Sequence, residues 1–275
     1  MENAHLFGMY ITERDCGIVK RFTMTNRERR KGAPYTRING EWYIDNDGIL
    51  RRFKKSETKG DNIKSVKRSF ARLRDIINTN ITEPENVLFI TFTYDPEKLV
   101  CNLDLVKVGK DMDWTFRKMK RTLPHFERIY TVERQGNGNW HTHCLFFFDE
   151  PAPFIPQEQL ESFWKHGFVK ISKRFDDHTI HNVGAYVCAD LTYSEDRNEH
   201  GQVKNQRLMR YPSGAHLFRC SKGIRRPEIR SIEPSDYLEY VTSDGVHMIS
   251  SSDQVHDFGG FCRFRYEDWF DENAV

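Results

Sequence analysis

The chain has 275 residues, of which 38% are hydrophobic and 30% charged, and a formal net charge of +2. This composition excludes a fibrous or disordered polypeptide, and the absence of any run of about eighteen apolar residues argues against a membrane span. The opening residues Met1-Glu-Asn-Ala-His5 lack the basic-then-apolar order of a secretory signal. The cysteines at 16, 101, 144, 188, 220 and 262 make no C-x-x-C pair. The expectation is a cytoplasmic protein with free thiols and no zinc ribbon.

The charge is unevenly spread. Residues 20–74 hold 17 Lys/Arg against 6 Asp/Glu, whereas residues 232–275 hold 2 Arg against 10 Asp/Glu. A basic surface that meets a polyanion gives this pattern. So do two segments that neutralise each other across one fold.

Along the chain, residues 6–55 read as short strands broken at Gly32-Ala-Pro34, Asn39-Gly40 and Asn46-Asp-Gly48. Residues 62–80 have a helical period, with Ile63, Val66, Phe70, Leu73, Ile76 and Ile77 on one face and Lys64, Lys67, Arg68, Arg72 and Arg74 on the other. Residues 86–94 are β-branched and aromatic and read as a buried strand. A helix is expected over 105–123, a hairpin over 127–148, a helix over 155–164 and a strand over 167–172. A last helix is expected over 182–193. This order fits an antiparallel sheet with helices on one face.

The stretch Glu133-Arg-Gln-Gly-Asn-Gly-Asn-Trp-His-Thr-His143 carries the most chemistry. Residues two apart on a strand share a side, so His141 and His143 can reach one ion. The Gly136-Asn-Gly-Asn139 turn folds the preceding strand back. With an odd loop, Glu133 should fall opposite His143 on that same face; with an even loop it should fall opposite Thr142, and the triad fails. A half-buried hairpin with two surface histidines fits the same residues. His178 and His181 are reserve ligands.

In the helix expected over 182–193, Tyr186, Asp190 and Tyr193 share a face at i, i+4 and i+7. A phenol beside a divalent cation is favoured as phenolate and can attack a phosphodiester. A tyrosine packed on the sheet gives the same pattern.

Taken together, Leu88-Phe-Ile-Thr-Phe-Thr-Tyr94, Val132-Glu133, Trp140-His-Thr-His143, Trp164-Lys-His-Gly-Phe-Val-Lys170 and Val183-Gly-Ala-Tyr186-Val187 resemble the rolling-circle replication initiators of the HUH endonuclease superfamily, in their phage and plasmid forms. Arg68-Ser, Arg72-Leu-Arg74, Ile76-Ile-Asn78 and Cys220-Ser-Lys-Gly-Ile-Arg-Arg-Pro227 also look like that group. The resemblance covers residues 62–230. It implies an α+β fold with a central five-stranded antiparallel sheet, related to the ferredoxin-like and RNA-recognition folds. Residues 1–61 would then be a basic strand-and-turn extension, and 231–275 an acidic segment packed on the domain.

By the same resemblance, Glu133, His141 and His143 hold Mg²⁺ or Mn²⁺, and Tyr186 is the nicking tyrosine. Relatives often carry a second tyrosine four residues further on and lysines three or seven further on. Here those positions are Asp190, Ala189 and Tyr193. Asp190 is a candidate base or extra ligand. Tyr193, about 10 Å along the helix from Tyr186, is a candidate second nucleophile. A single DNA strand across the sheet would meet Arg68, Arg72, Lys170, Lys173, Arg174, Lys222, Arg225 and Arg226, with Trp140 and Phe168 as stacking platforms.

The implied activity is metal-dependent nicking and strand transfer on single-stranded or hairpin origin DNA through a 5′-phosphotyrosine link. No Gly-x-x-x-x-Gly-Lys-Ser/Thr motif is present, so a host helicase would unwind and a host polymerase would extend. The other readings are a non-catalytic origin-binding protein on the same fold and a relaxase- or transposase-type HUH enzyme.

Overall fold

A computed structural model describes residues 9–26, 35–45, 47–54, 56–97, 105–134, 140–173, 211–257 and 261–274. Among them it is α+β, with three antiparallel sheets and four α-helices.

The central sheet has five strands: β6 (Val87–Tyr94), β7 (Phe126–Arg134), β8 (Trp140–Phe148), β9 (Gly167–Lys173) and β10 (Phe218–Cys220). Their order is β10-β7-β8-β6-β9, and every described pairing is antiparallel. Strand β8 shows why the sheet has an open end. Its second half, Cys144–Phe148, is buried on both faces, whereas Trp140–His143 alternates buried with half-buried. One face is therefore covered along the whole strand, and the other is uncovered beside the histidines.

Helix α2 (Leu105–Thr122) covers the fully buried face. Phe116 packs against Tyr130 and Phe146, with Met112 and Met119 buried alongside. Helix α1 (Ile63–Asn80) starts at Asn62, whose side chain accepts from Ser65 N–H, and sends Val66, Phe70, Leu73, Ile76 and Ile77 into the same core. It ends where Asn80 exchanges hydrogen bonds with the Arg225 backbone. Helix α3 (Gln157–Phe163) leads into β9.

The two ends of the chain share a second sheet. Strands β1 (Tyr10–Asp15) and β2 (Val19–Thr25) pair with β11 (Glu228–Ile232) and β13 (Phe261–Asp271), in the order β11-β1-β2-β13-β12, with β12 spanning Val246–Asp257. The division expected at 230/231 thus falls inside β11. Helix α4 (Pro234–Val241) packs Tyr237 on Phe22. The charge asymmetry is partly internal: Arg21 of the basic segment pairs with Asp268 of the acidic one. A small sheet, β3 (Tyr35–Arg37), β4 (Trp42–Asp45) and β5 (Leu50–Arg52), completes the described fold. None of the described helices is long and apolar enough to cross a membrane.

Candidate metal centre

Strand register builds the site. Glu133 of β7 stands opposite His141 of β8, and Thr131 stands opposite His143. Strands β7 and β8 end and begin at Arg134 and Trp140. The stretch between them has an odd number of positions, so the carboxylate shares the histidine face. Its cross-strand partner, however, is His141 and not His143 as the sequence suggested. The loop is shorter than that expectation required, because Trp140 and His141 already belong to the strand.

Glu133 Oε2 lies 3.0 Å from His141 Nε2 and 3.2 Å from His143 Nε2. One donor atom from each residue falls within 4.8 Å of the others. Donors placed about 2.1 Å from a single ion are separated by roughly 3.0–3.4 Å, so both carboxylate–imidazole distances fit. Glu133 is 2% exposed, and a carboxylate so removed from water needs a compensating positive charge. Thr131 Oγ1 is buried across from His143 and has no hydrogen-bond partner among the described residues. The donor set of two imidazoles and one carboxylate suits a divalent cation.

The histidine rings are held from behind. His143 Nδ1 is 3.1 Å from Thr91 Oγ1 on β6, and its ring stacks on Phe89 at 5.6 Å between centroids. Thr91 and Thr93 face His143 and His141 across the β6–β8 pairing. Strand β9 extends both rows: Lys170 pairs with Thr91, and Phe168 with Thr93. Two rows of side chains therefore cross the open face, Thr131-His143-Thr91-Lys170 and Glu133-His141-Thr93-Phe168. Phe168 is 62% exposed at the sheet edge. Lys170 beside it is exposed.

Residues 87–195 match the model of a replication-associated protein family, the one described by its ORF2 members. No curated protein and no solved structure matches the chain. The replication-associated match covers less than half of the chain, but it takes in β6 to β9 and all three members of the Glu133-His141-His143 cluster. It supports a role in replication initiation, and hence an involvement with DNA.

The remaining expected site residues divide into three groups. Arg68, Arg72, Lys222, Arg225 and Arg226 are exposed, the first two on α1 and the others after β10. Trp140 is 5% exposed and packs edge-on against Tyr211. It cannot offer its face to a base, because the period of two that points His141 outward turns Trp140 inward. Lys173 closes β9, while Arg174, His178, His181, Tyr186, Asp190 and Tyr193 lie outside the described residues, as does the helix expected over 182–193.

Four described tyrosines are excluded as nucleophiles. Burial pushes the phenols of Tyr94, Tyr130, Tyr237 and Tyr240 above the ordinary tyrosine value, which holds them neutral. Tyr94 also donates to Asp111 at 3.0 Å, which opposes its ionisation further.

Sequence reasoning missed Thr91. The signal was the alternation in Phe89-Ile-Thr-Phe-Thr93, which sets two hydroxyls on one face of an otherwise apolar strand.

Proposed function

We propose that the protein is a metal-dependent, HUH-type endonuclease that nicks and rejoins single-stranded or hairpin origin DNA to start rolling-circle replication. The observation that carries this reading is the Glu133-His141-His143 cluster, set on adjacent strands inside the region matching the replication-associated family. Glu133, His141 and His143 would hold Mg²⁺ or Mn²⁺. Imidazole donors favour the latter and cellular abundance the former. Such an ion, when bound, withdraws charge from the scissile phosphate and favours a neighbouring phenolate.

Tyr186 is the proposed nucleophile, carried over from its place in Val183-Gly-Ala-Tyr186-Val187. Its phenolate oxygen attacks phosphorus, the bond to the 3′ oxygen breaks, and the departing oxygen takes up a proton as a free 3′-hydroxyl. The 5′ phosphate stays on Tyr186. The ester retains the bond energy, so a later 3′-hydroxyl can reverse the step and close a strand. Asp190, one turn along the expected helix, is placed to take the phenol proton. Phe168 and Lys170 would seat the strand next to the cluster, one by stacking and the other on the backbone. Arg68, Arg72, Lys222, Arg225 and Arg226 would extend the basic track.

The test is cleavage of an end-labelled single-stranded oligonucleotide with Mg²⁺ or Mn²⁺ added. Cleavage that stops on chelation and in His141→Ala supports the reading. Metal-independent cleavage, or none with any origin-derived strand or hairpin, refutes it.

A further inference from the structure

Helix α1 has a second basic side, separate from its outward Lys64, Lys67, Arg68 and Arg72. Arg74 lines a cleft of about 680 Å³ between α1 and the terminal sheet, together with Arg14 of β1 and Arg21 of β2. Thr12, Ser252 and Tyr266 are among its hydroxyl-bearing walls, and Asp268 is the acidic residue in its lining. The charges run in a chain of alternating sign, Arg14-Asp75-Arg21-Asp268-Arg74.

Three guanidiniums thus share two carboxylates. Arg21, in the middle, contacts both carboxylates. The ends differ. Arg14 offers Nη1 to Asp75, which leaves much of its fork unused. Arg74 approaches Asp268 only to 3.8 Å, and its Nε is buried with no hydrogen-bond partner among the described residues. The carboxylates fix the guanidiniums without neutralising all of them, and the surplus charge lies at the two ends of the chain.

We propose that this cleft binds a phosphodiester of the DNA strand, bridging the guanidiniums of Arg14 and Arg74, with Asp75 and Asp268 holding the forks in place. A guanidinium fork matches paired phosphate oxygens. A polynucleotide is favoured over an isolated anion because Arg74 belongs to the helix that also exposes Lys64, Lys67, Arg68 and Arg72, a run of cations suited to a run of phosphates. The proposal rests on the DNA-binding reading above and adds to it a contact remote in sequence from the metal cluster.

The experiment is fluorescence anisotropy of a labelled single-stranded oligonucleotide with the full chain, in chelator so that no metal-dependent cleavage intervenes. Arg74→Gln should weaken binding roughly five- to tenfold near 0.1 M salt and lower the slope of log affinity against log salt by about 0.7. Arg74→Lys should recover part of the loss. Arg117→Gln, an exposed charge on α2, should change neither quantity appreciably. Should Arg74→Gln fail to fold, Ser252→Asp sets a carboxylate in the cleft from an exposed strand position and should weaken binding as well. Ordinary DNA affinity and salt slope in folded Arg74→Gln, or in Ser252→Asp where it alone folds, would overturn the cleft while leaving the DNA reading intact. A wild-type protein that does not bind DNA would overturn both.

Discussion

Thr91 Oγ1 lies 3.1 Å from Nδ1 of His143, across the β6–β8 pairing. Accepting the Nδ1 proton fixes the tautomer that leaves the Nε2 lone pair facing Glu133. A group that orients an imidazole from behind typically alters metal affinity by about 10–100-fold. Thr91→Val keeps the shape and removes the acceptor, so it should weaken Mn²⁺ binding by about tenfold or more. Thr91→Ser should stay close to wild type. Titration calorimetry with Mn²⁺ checks this, and equal affinity in all three proteins would show that Thr91 does not orient the ring.

Gly167 fixes the edge strand that carries Phe168 and Lys170. Its φ is +156°, and an added Cβ would meet Asp95 N and Thr93 O at 2.3 Å. Both are backbone atoms that cannot swing away. Gly167→Ala should therefore cost about 1–3 kcal/mol of stability. It should also reduce DNA affinity, since β9 must shift away from β6. Urea denaturation reads the first effect, and an unchanged midpoint would mean that the strand yields without cost.

Glu13 links pH to the terminal sheet. Burial opposes its charge, but pairing with Arg230 and Lys20 outweighs burial, and its carboxyl sits below the ordinary glutamate value. The unfolded chain therefore binds the proton first as pH falls. The contribution to stability is complete above the unfolded value of about 4.3 and is lost as pH drops through the folded value. Glu13→Gln should lower stability at pH 7 and flatten its fall between about pH 5 and 3. Parallel slopes for the two proteins in urea titrations would contradict this assignment.

The local elements were legible because their signals are local. The Asn-Gly turn and the alternation from Trp140 to His143 announce a hairpin with two histidines on one side. Val66, Phe70, Leu73 and Ile77 announce α1. Register was less accessible, because the partner of Glu133 depends on how many residues the loop consumes. Trp140 was misjudged as a platform, although the same alternation that exposes His141 buries it. The terminal sheet could not be read from the sequence. Strand β2 pairs with β13 nearly the whole chain away, and nothing in either strand names the other. The interior link Arg21-Asp268 likewise belongs to tertiary structure alone.

The most direct test of the central claim is isolation of a covalent protein–DNA adduct. The protein is mixed with 3′-labelled or internally labelled origin strand and Mn²⁺, digested, and the nucleotide-bearing peptide is identified by mass spectrometry. The account predicts an adduct on Tyr186, joined to the 5′ phosphate. It should be absent with chelator and absent in Tyr186→Phe, whose DNA binding should stay within a few-fold of wild type. Tyr193→Phe should still form it. An adduct on Tyr193, or one that survives Tyr186→Phe, would contradict the choice of nucleophile. Cleavage with no covalent intermediate would contradict the mechanism itself.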